Sequence, residues 1–169
     1  MRELHCPICG APFVRVTYQE GAVERLLSRV NVFPFRCQLC TNRFRAFSSG
    51  ARHNTQAFDR RQYTRLTASI EAQVLDRNQP PVTNRITDIS MDGCTLRTTG
   101  FSKGAFIELV LKPTVEDESI RIETAMVCSV RSSSMGIRFL EVLPEHQSRL
   151  GQVVLGLLVS QGSHLTSHA

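Results

Sequence analysis

The sequence of 169 residues and 18.9 kDa is long enough for one ordinary domain and a small second one. Its 41% hydrophobic and 21% charged residues are typical of a globular protein and argue against disorder, and the net charge of +5 lies in residues 1–58, where eight arginines face three glutamates. No apolar run approaches the roughly 20 residues of a membrane span, and the first residues lack the apolar core of a secretory signal, so we expect a cytoplasmic protein without membrane insertion.

Two CxxC pairs stand in the N-terminal segment, formed by Cys6 with Cys9 and by Cys37 with Cys40. Two such pairs predict the four thiolate ligands of a structural Zn²⁺, because each tight turn presents two thiolates to one ion. Gly10 suits such a turn, since the residue after the second cysteine often needs positive φ. Iron is another candidate metal and His5 a substitute ligand. A redox dithiol or disulfide is the alternative, which a reducing cytosol disfavours.

The segment between the pairs predicts a strand at Phe13–Tyr18 and a helix at Gly21–Val30. The helix carries an apolar face formed by Val23, Leu26, Leu27 and Val30. We therefore predict a small zinc ribbon with a helical insertion over residues 1–47, which is too short for a sufficient core and should draw much of its folding free energy from the metal. The phenylalanines of 33–47 fit a small core better than a surface that stacks bases. Residues 48–57 have the composition of a linker.

Residues 58–143 have the alternating pattern of β-strands, with six strands at even spacing and no helix among them. This arrangement predicts a six-stranded antiparallel β-barrel. In the longest runs we place Leu66, Ala68, Ile70, Ala72 and Val74 on one face of the first strand. On one face of a later strand we place Ile120, Ile122, Thr124, Met126, Cys128 and Val130. The predicted fold is mainly β.

The barrel segment carries two short motifs. Arg61 and Arg65 form an RxxxR before the first strand, with Arg60 beside them, although Arg25 and Arg29 show that this spacing also occurs elsewhere in the chain. Guanidinium groups bind phosphates and the O6/N7 edge of guanine bidentately. A DxSxxG motif follows at a strand end and contains Asp88, Ser90 and Gly93, where Asp and Ser suit guanine's donors and Gly93 permits positive φ. A hairpin turn at Asp92–Gly93 explains this motif equally well.

Residues 144–160 predict a C-terminal helix, and residues 161–169 a disordered tail. Pro144 and Glu145 are typical of a first helical turn. The helix has an apolar stripe formed by Leu150, Val153, Val154, Leu157 and Leu158. We expect this stripe to cover the barrel, with a homodimer seam as the alternative.

The order RxxxR, strand, DxSxxG and a late Gly136-Ile-Arg-Phe139 strand resembles PilZ domains, the bacterial receptors of cyclic di-GMP, over about residues 58–143. The resemblance implies a PilZ-like β-barrel with a C-terminal helix, in which Arg61 and Arg65 wrap the ligand and Asp88, Ser90 and Gly93 form its floor. Arg60 precedes the motif and is a further ligand-binding candidate. The implied protein is a non-enzymatic signalling effector whose ligand-ordered loop acts on the zinc ribbon or on a protein partner. A nucleic-acid-binding protein that uses the basic ribbon is the alternative.

Overall fold

A computed structural model describes residues 4–48, 62–76, 79–97, 100–114 and 118–165. Arg60, Arg61 and all but Ser48 of the expected linker lie outside these ranges. The chain divides into two compact units, Met1–Thr64 and Arg65–Ala169. Among the described residues, no helix has the length and apolarity that a bilayer crossing requires.

The first unit contains a three-stranded antiparallel sheet and one helix. Strand β1 is Val14–Val16, helix α1 is Gly21–Ser28, β2 is Val32–Cys37 and β3 is Arg43–Phe47, with β2 in the centre of the sheet. Phe35 is buried and stacks on Phe44 with their ring centroids 6.0 Å apart, whereas Phe47 is exposed. The aromatic residues therefore supply part of a small core, as a segment of this length allows.

Helix α1 is oriented differently from the usual amphipathic helix. An apolar face ordinarily packs inward, yet Val23 and Leu26 of α1 are each about three-fifths exposed. The helix ends at Ser28, two residues before the predicted end, and Val30 beyond it is exposed to a similar extent. Glu24 is instead the buried residue of this helix, with only 2% of its surface exposed. The predicted apolar face is present, but it lies on the surface of the first unit.

The carboxylate of Glu24 explains why a charged side chain is buried here. Its Oε2 accepts hydrogen bonds from Arg43 Nη2 and from the backbone N–H of Glu20, both at 2.7 Å. Its Oε1 accepts two bonds of 3.3 Å from Arg45. A buried charge is tolerated when it is paired and fully hydrogen-bonded, so Glu24 fastens α1 to β3.

We expect Glu24→Gln to lower the free energy of unfolding of the first unit by about 3 kcal/mol, because it leaves two arginines without their charged partner. Burial opposes ionisation of Glu24, but the Glu20 N–H and the Arg43 guanidinium outweigh it and lower the pKa of this carboxyl. A depressed carboxyl pKa gives stability that is present above the unfolded pKa of about 4.3 and is lost as the pH falls through the folded pKa. The difference in unfolding free energy between wild type and Glu24→Gln should therefore shrink below about pH 4.

Glu20→Gln is the matched control, since the Glu20 side chain is 59% exposed and lies 3.7 Å from Arg43. Chemical denaturation of both variants, followed by amide signals of β2 and β3, measures the effect. Equal stability of the two variants at pH 7 would show that the buried ion pairs contribute nothing.

The second unit is a closed antiparallel barrel of six strands, as the sequence predicts. Its strands are β4 Leu66–Asp76, β5 Gln79–Ser90, β6 Gly93–Leu96, β7 Phe106–Lys112, β8 Ile120–Val130 and β9 Met135–Glu141. They close in the order β4-β5-β6-β9-β8-β7. Closure therefore gives each of these six strands two hydrogen-bonded neighbours in the sheet.

The strand β8 has the predicted bounds but not the predicted single face. Ile120 and Ile122 are buried, and the core side chains then change to Ala125 and Val127. The pairing of β8 with β9 shifts register between Thr124 and Ala125. A bulge adds one residue and moves the following side chains to the opposite face. The expectation that Met126, Cys128 and Val130 share a face with Ile120 is therefore wrong.

Helix α2 spans Pro144–Leu165 and packs against β4 and β8 of the barrel. Leu150 and Val154 are each 1% exposed and form the centre of this contact. The expected apolar stripe therefore covers its own barrel. The helix continues through Leu165, five residues into the segment expected to be a tail, and 166–169 lie outside the described residues.

Candidate functional site

Four cysteines come together in the first unit. The Sγ atoms of Cys6, Cys9, Cys37 and Cys40 all lie within 4.8 Å of one another. Cys6 Sγ is 3.5 Å from Cys40 Sγ, and Cys9 Sγ is 3.6 Å from Cys37 Sγ. A tetrahedral site with Zn–S bonds of about 2.3 Å has sulfur–sulfur edges of about 3.8 Å. The four residues thus fit a structural zinc site.

The two cysteine turns have similar backbone geometry. Gly10 follows the first pair at φ 70° and Thr41 follows the second at φ 62°. The predicted positive φ of Gly10 is confirmed, whereas the same conformation at Thr41 is unusual for a β-branched residue. The Cys37 N–H donates to Asn42 O and the Leu39 N–H lies 3.4 Å from Cys37 Sγ. The first bond closes the turn, and the Leu39 N–H is a donor that stabilises a thiolate at Cys37.

The thiols of Cys6, Cys37 and Cys40 differ in acidity. Burial opposes ionisation of Cys6, but the backbone N–H groups of Cys9 and Ile8 outweigh it and lower its pKa to about 7. Burial, followed by the neighbouring thiols, raises the pKa of Cys40 to about 12. Burial also raises the pKa of Cys37. Four thiolates in this space need a cation to offset their mutual repulsion, which is the chemistry of a metal site.

A polar cluster joins two motif residues, Arg65 and Asp88, to Thr95 of β6. Arg65 Nη1 donates to Asp88 Oδ1 and to Thr95 Oγ1, both at 2.8 Å. Thr95 Oγ1 in turn donates to Asp88 Oδ1 at 3.0 Å. The side chains of Arg65 and Asp88 remain 32% and 28% exposed. The structure thus brings together the second arginine of RxxxR, which directly precedes β4, and the aspartate of DxSxxG, which lies near the end of β5.

This cluster orients one guanidinium. Both contacts use Nη1, so the Nε and Nη2 edge of Arg65 has no hydrogen-bond partner among the described residues. That edge carries parallel N–H donors, which match two adjacent acceptors of a phosphate or of guanine O6 and N7.

Thr95 was not predicted from the sequence. It pairs with Asp88 across β5 and β6, a relation that strand register sets and no motif encodes.

Ser90 braces the turn between β5 and β6. Its side chain is buried, at 4% exposed, and its Oγ donates to Gly93 O at 3.2 Å and accepts from the Asp92 N–H at 3.4 Å. Ser90 pairs with Gly93, so the two turn residues are Met91 and Asp92, one position earlier than expected. The predicted hairpin is present, with Ser90 as part of its structure.

Gly93 is required by the close approach of β9. A Cβ at this position would lie 2.1 Å from Ile137 O and 3.2 Å from Arg138 Cα. The φ of Gly93 is not positive, so the interpretation of this glycine as a left-handed turn residue is wrong. Its place in the motif is explained by strand packing, because a side chain would separate β6 from β9.

We expect Gly93→Ala to lower the free energy of unfolding of the barrel by about 3 kcal/mol or more, because backbone atoms of β9 must move to admit the methyl group. Urea denaturation measures the loss. Gly156→Ala is the control, since a Cβ on that residue of α2 meets nothing within 4 Å. It should leave stability unchanged or raise it by up to about 1 kcal/mol. Equal unfolding midpoints for the two variants would contradict the packing argument.

Comparison with known proteins places the barrel in a family. The structure resembles the PilZ domain of Escherichia coli YcgR solved with c-di-GMP, at a TM-score of 0.54, 15% identity and coverage of 64% of this chain and 99% of that one. It resembles E. coli YcgR in complex with c-di-GMP at a TM-score of 0.55 and 15% identity, over 96% of this chain and 81% of that one. It also resembles the K. pneumoniae MrkH–c-di-GMP complex at a TM-score of 0.53 and 17% identity, over 88% of this chain and 78% of that one.

These structural likenesses show the fold. A search of curated protein sequences gave no match. The sequence profile of the PilZ domain matches residues 59–156, which is more than half of the chain and includes both motifs, the six barrel strands and part of α2. The chain therefore belongs to the PilZ domain family.

Proposed function

We propose that this protein is a non-enzymatic receptor of cyclic di-GMP that acts in bacterial signalling. The observation that carries the proposal is the Arg65–Asp88–Thr95 cluster, which holds one guanidinium through Nη1 and leaves its Nε and Nη2 donors without hydrogen-bond partners among the described residues. A cyclic dinucleotide of guanine presents two phosphates and two O6/N7 edges, and each of these can take a bidentate arginine.

The motif residues divide into two groups in this proposal. Arg65 and Asp88 contact the ligand, Arg61 binds it from the preceding segment, and Arg60 is a further candidate contact. Ser90 and Gly93 shape the turn beneath it. Support comes from family membership and from the two relatives above, YcgR and MrkH, that were solved with c-di-GMP.

The first unit is proposed to bind a structural Zn²⁺ through its four cysteines and to transmit ligand binding to a protein partner. The sulfur–sulfur distances support the metal. The exposed Val23 and Leu26 of α1 support a protein partner, because exposed apolar side chains that neighbour each other on a helix are common at interaction sites. Ordering of the segment that contains Arg60 and Arg61 on ligand binding is the proposed signal.

The direct test is calorimetric titration of the zinc-loaded protein with cyclic di-GMP, with GMP as the control ligand. We expect saturable binding of the cyclic dinucleotide and little or none of GMP, which lacks the second guanine and phosphate. The titration also gives the number of nucleotides bound per chain. A flat titration of folded, zinc-loaded protein would refute the receptor proposal.

A nucleic-acid-binding role is the second candidate. MrkH is described as a c-di-GMP-dependent transcription regulatory factor, and the net charge of this chain is +5. Against this role, Arg43 and Arg45 are engaged by Glu24 and so contribute less positive potential. Binding of duplex DNA whose affinity falls steeply between 50 and 200 mM salt, roughly 10³-fold for six phosphate contacts, would favour this candidate.

A further inference from the structure

Gln38 lies inside the second cysteine turn and is almost completely buried, at 5% exposed. Its backbone N–H donates to Phe13 O at 2.9 Å, which fixes the residue to the sheet of the first unit. Its side-chain amide reaches a segment 24 to 26 residues later in the chain. Oε1 accepts the Thr64 N–H at 2.7 Å, and Nε2 donates to Gln62 O at 3.3 Å.

Two further residues of the first unit hold the same segment. The Arg36 guanidinium lies over the Tyr63 ring, with Cζ 5.6 Å from the ring centroid, and Nη1 donates to the Tyr63 hydroxyl at 3.3 Å. Tyr63 is buried, at 8% exposed. Arg15 Nη1 donates to Thr64 Oγ1 at 3.2 Å. Each residue of 62–64 is therefore hydrogen-bonded to earlier residues of the first unit, by its backbone, its side chain or both.

Residues 62–64 are the three residues between the arginines of the RxxxR motif, Arg61 and Arg65. Arg65 is the first residue of the second unit and belongs to the cluster with Asp88. The interior of the motif is thus part of the first unit, whereas its last arginine is part of the barrel. The amide of Gln38 is central to this attachment, because it is flanked by Cys37 and lies two residues before Cys40.

We propose that Gln38 is a positioning residue for nucleotide binding, through which metal in the four-cysteine site raises the affinity for cyclic di-GMP. This inference rests on the proposed receptor function and adds its regulation. Metal fixes the turn that contains Gln38, and the Gln38 amide fixes the backbone of 62–64. Arg65 then directly follows a segment that is already ordered, so ligand binding loses less conformational entropy.

Thermodynamic linkage makes this coupling reciprocal. If Zn²⁺ raises the affinity for the nucleotide by a given factor, the nucleotide raises the affinity for Zn²⁺ by the same factor. We expect a factor of about ten, near the lower part of the usual range for coupled sites. Loss of the metal, by chelation or by oxidation of the thiolates to disulfides with a two-electron oxidant, would then weaken the nucleotide response.

The test compares the zinc-loaded full chain with Gln38→Ala and with Leu39→Ala. Leu39 occupies the other middle position of the same turn, and its described hydrogen bond to Cys37 uses only its backbone N–H. We expect Gln38→Ala to weaken cyclic di-GMP binding about tenfold by calorimetry. Leu39→Ala should retain wild-type affinity. Both variants should retain one Zn²⁺ per chain.

Two readouts distinguish positioning from a loss of folding. Competition with a chromophoric chelator should show that saturating cyclic di-GMP tightens Zn²⁺ binding in wild type and Leu39→Ala but not in Gln38→Ala. Hydrogen exchange should show slow exchange of the Thr64 amide in zinc-loaded wild type and fast exchange in Gln38→Ala, with or without nucleotide.

The outcomes separate the two proposals. If wild type binds the nucleotide and Gln38→Ala binds it equally well with the same zinc linkage, the positioning role is refuted and the receptor function stands. If folded wild type does not bind the nucleotide, the receptor function is refuted and the inference with it. A slow Thr64 amide in Gln38→Ala would also contradict the inference, since it would mean that other contacts hold the segment.

Discussion

Arg65→Ala is expected to reduce the affinity for cyclic di-GMP by at least about 100-fold, because the side chain offers two charge-assisted hydrogen bonds of about 1.5–3 kcal/mol each. The substitution also leaves Asp88 without its cation, so a carboxylate would then face the ligand phosphates. The fold should persist, since the Arg65 and Asp88 side chains are about one-third exposed and such ion pairs contribute little to stability. Calorimetry with the zinc-loaded protein measures the affinity, and thermal unfolding measures the stability.

Two matched arginine variants test the specificity of this effect. Arg85→Ala removes an exposed arginine of β5 that donates to Ser69 Oγ, and Arg25→Ala removes the first arginine of the other RxxxR, on α1. Both should bind the nucleotide with wild-type affinity. Arg65→Lys keeps the charge without the planar fork and should recover only part of the binding. A wild-type affinity in Arg65→Ala would remove this arginine from the site.

Removal of metal is expected to unfold the first unit and leave the barrel folded. Structural zinc sites in small domains contribute about 10–16 kcal/mol at neutral pH, and a unit of this length has little apolar core to replace that contribution. On addition of a strong chelator, amides of β1, β2 and β3 should lose protection from hydrogen exchange. Amides of the barrel should keep theirs. Elemental analysis of the untreated protein should find one Zn²⁺ per chain.

The control for this prediction uses the same substitution at two cysteines. Cys37→Ser removes a proposed ligand and should reproduce the effect of chelation, whereas Cys128→Ser lies outside the four-cysteine cluster and should keep the metal. Purified protein that lacks metal and still shows protected amides in β2 would contradict the zinc proposal. A mass lower by about 2 Da for each closed pair of thiols would indicate disulfides instead.

The architecture of the barrel could be predicted from hydrophobic alternation. The strand β8 was predicted with its observed bounds, and the six-stranded barrel followed from the number and spacing of such runs. The alternation could not reveal the residue at which the buried side chains of β8 change to the other face of the strand. The shift at Thr124 and Ala125 depends on pairing with β9, and pairing is a tertiary property that a single strand does not encode.

The candidate site was predictable where a short motif carries the chemistry. The four cysteines and the Arg65–Asp88 pair were identified in this way, and the structure brings each set together. Thr95 and Gln38 were missed because a lone threonine in a strand and a lone glutamine in a turn have no distinguishing pattern. Thr95 and Gln38 each form hydrogen bonds to residues that lie 7 or more positions away in the sequence. Such contacts become visible only when the fold is known.

Helix α1, whose apolar face is exposed and whose Glu24 is buried, shows another property that the sequence pattern did not predict. Its spacing predicts an apolar face, but the free energy of packing here comes from the buried Glu24 and its two arginines. A pattern of apolar residues shows which side chains share a face. It does not show which face is buried when a charged network competes with it.

The close approach of β9 to Gly93 affects which residues can distinguish nucleotide-binding relatives of this protein from relatives that do not bind. A barrel that has lost its ligand during evolution must still keep the glycine, since β6 and β9 cannot otherwise lie side by side. The same barrel is free to replace Arg65 and Asp88, whose partly exposed side chains contribute little to its stability. Under the proposed receptor function, we expect retention of this arginine–aspartate pair to mark the homologous barrels that bind the nucleotide, whereas the terminal glycine of the motif follows from the packing of β6 against β9.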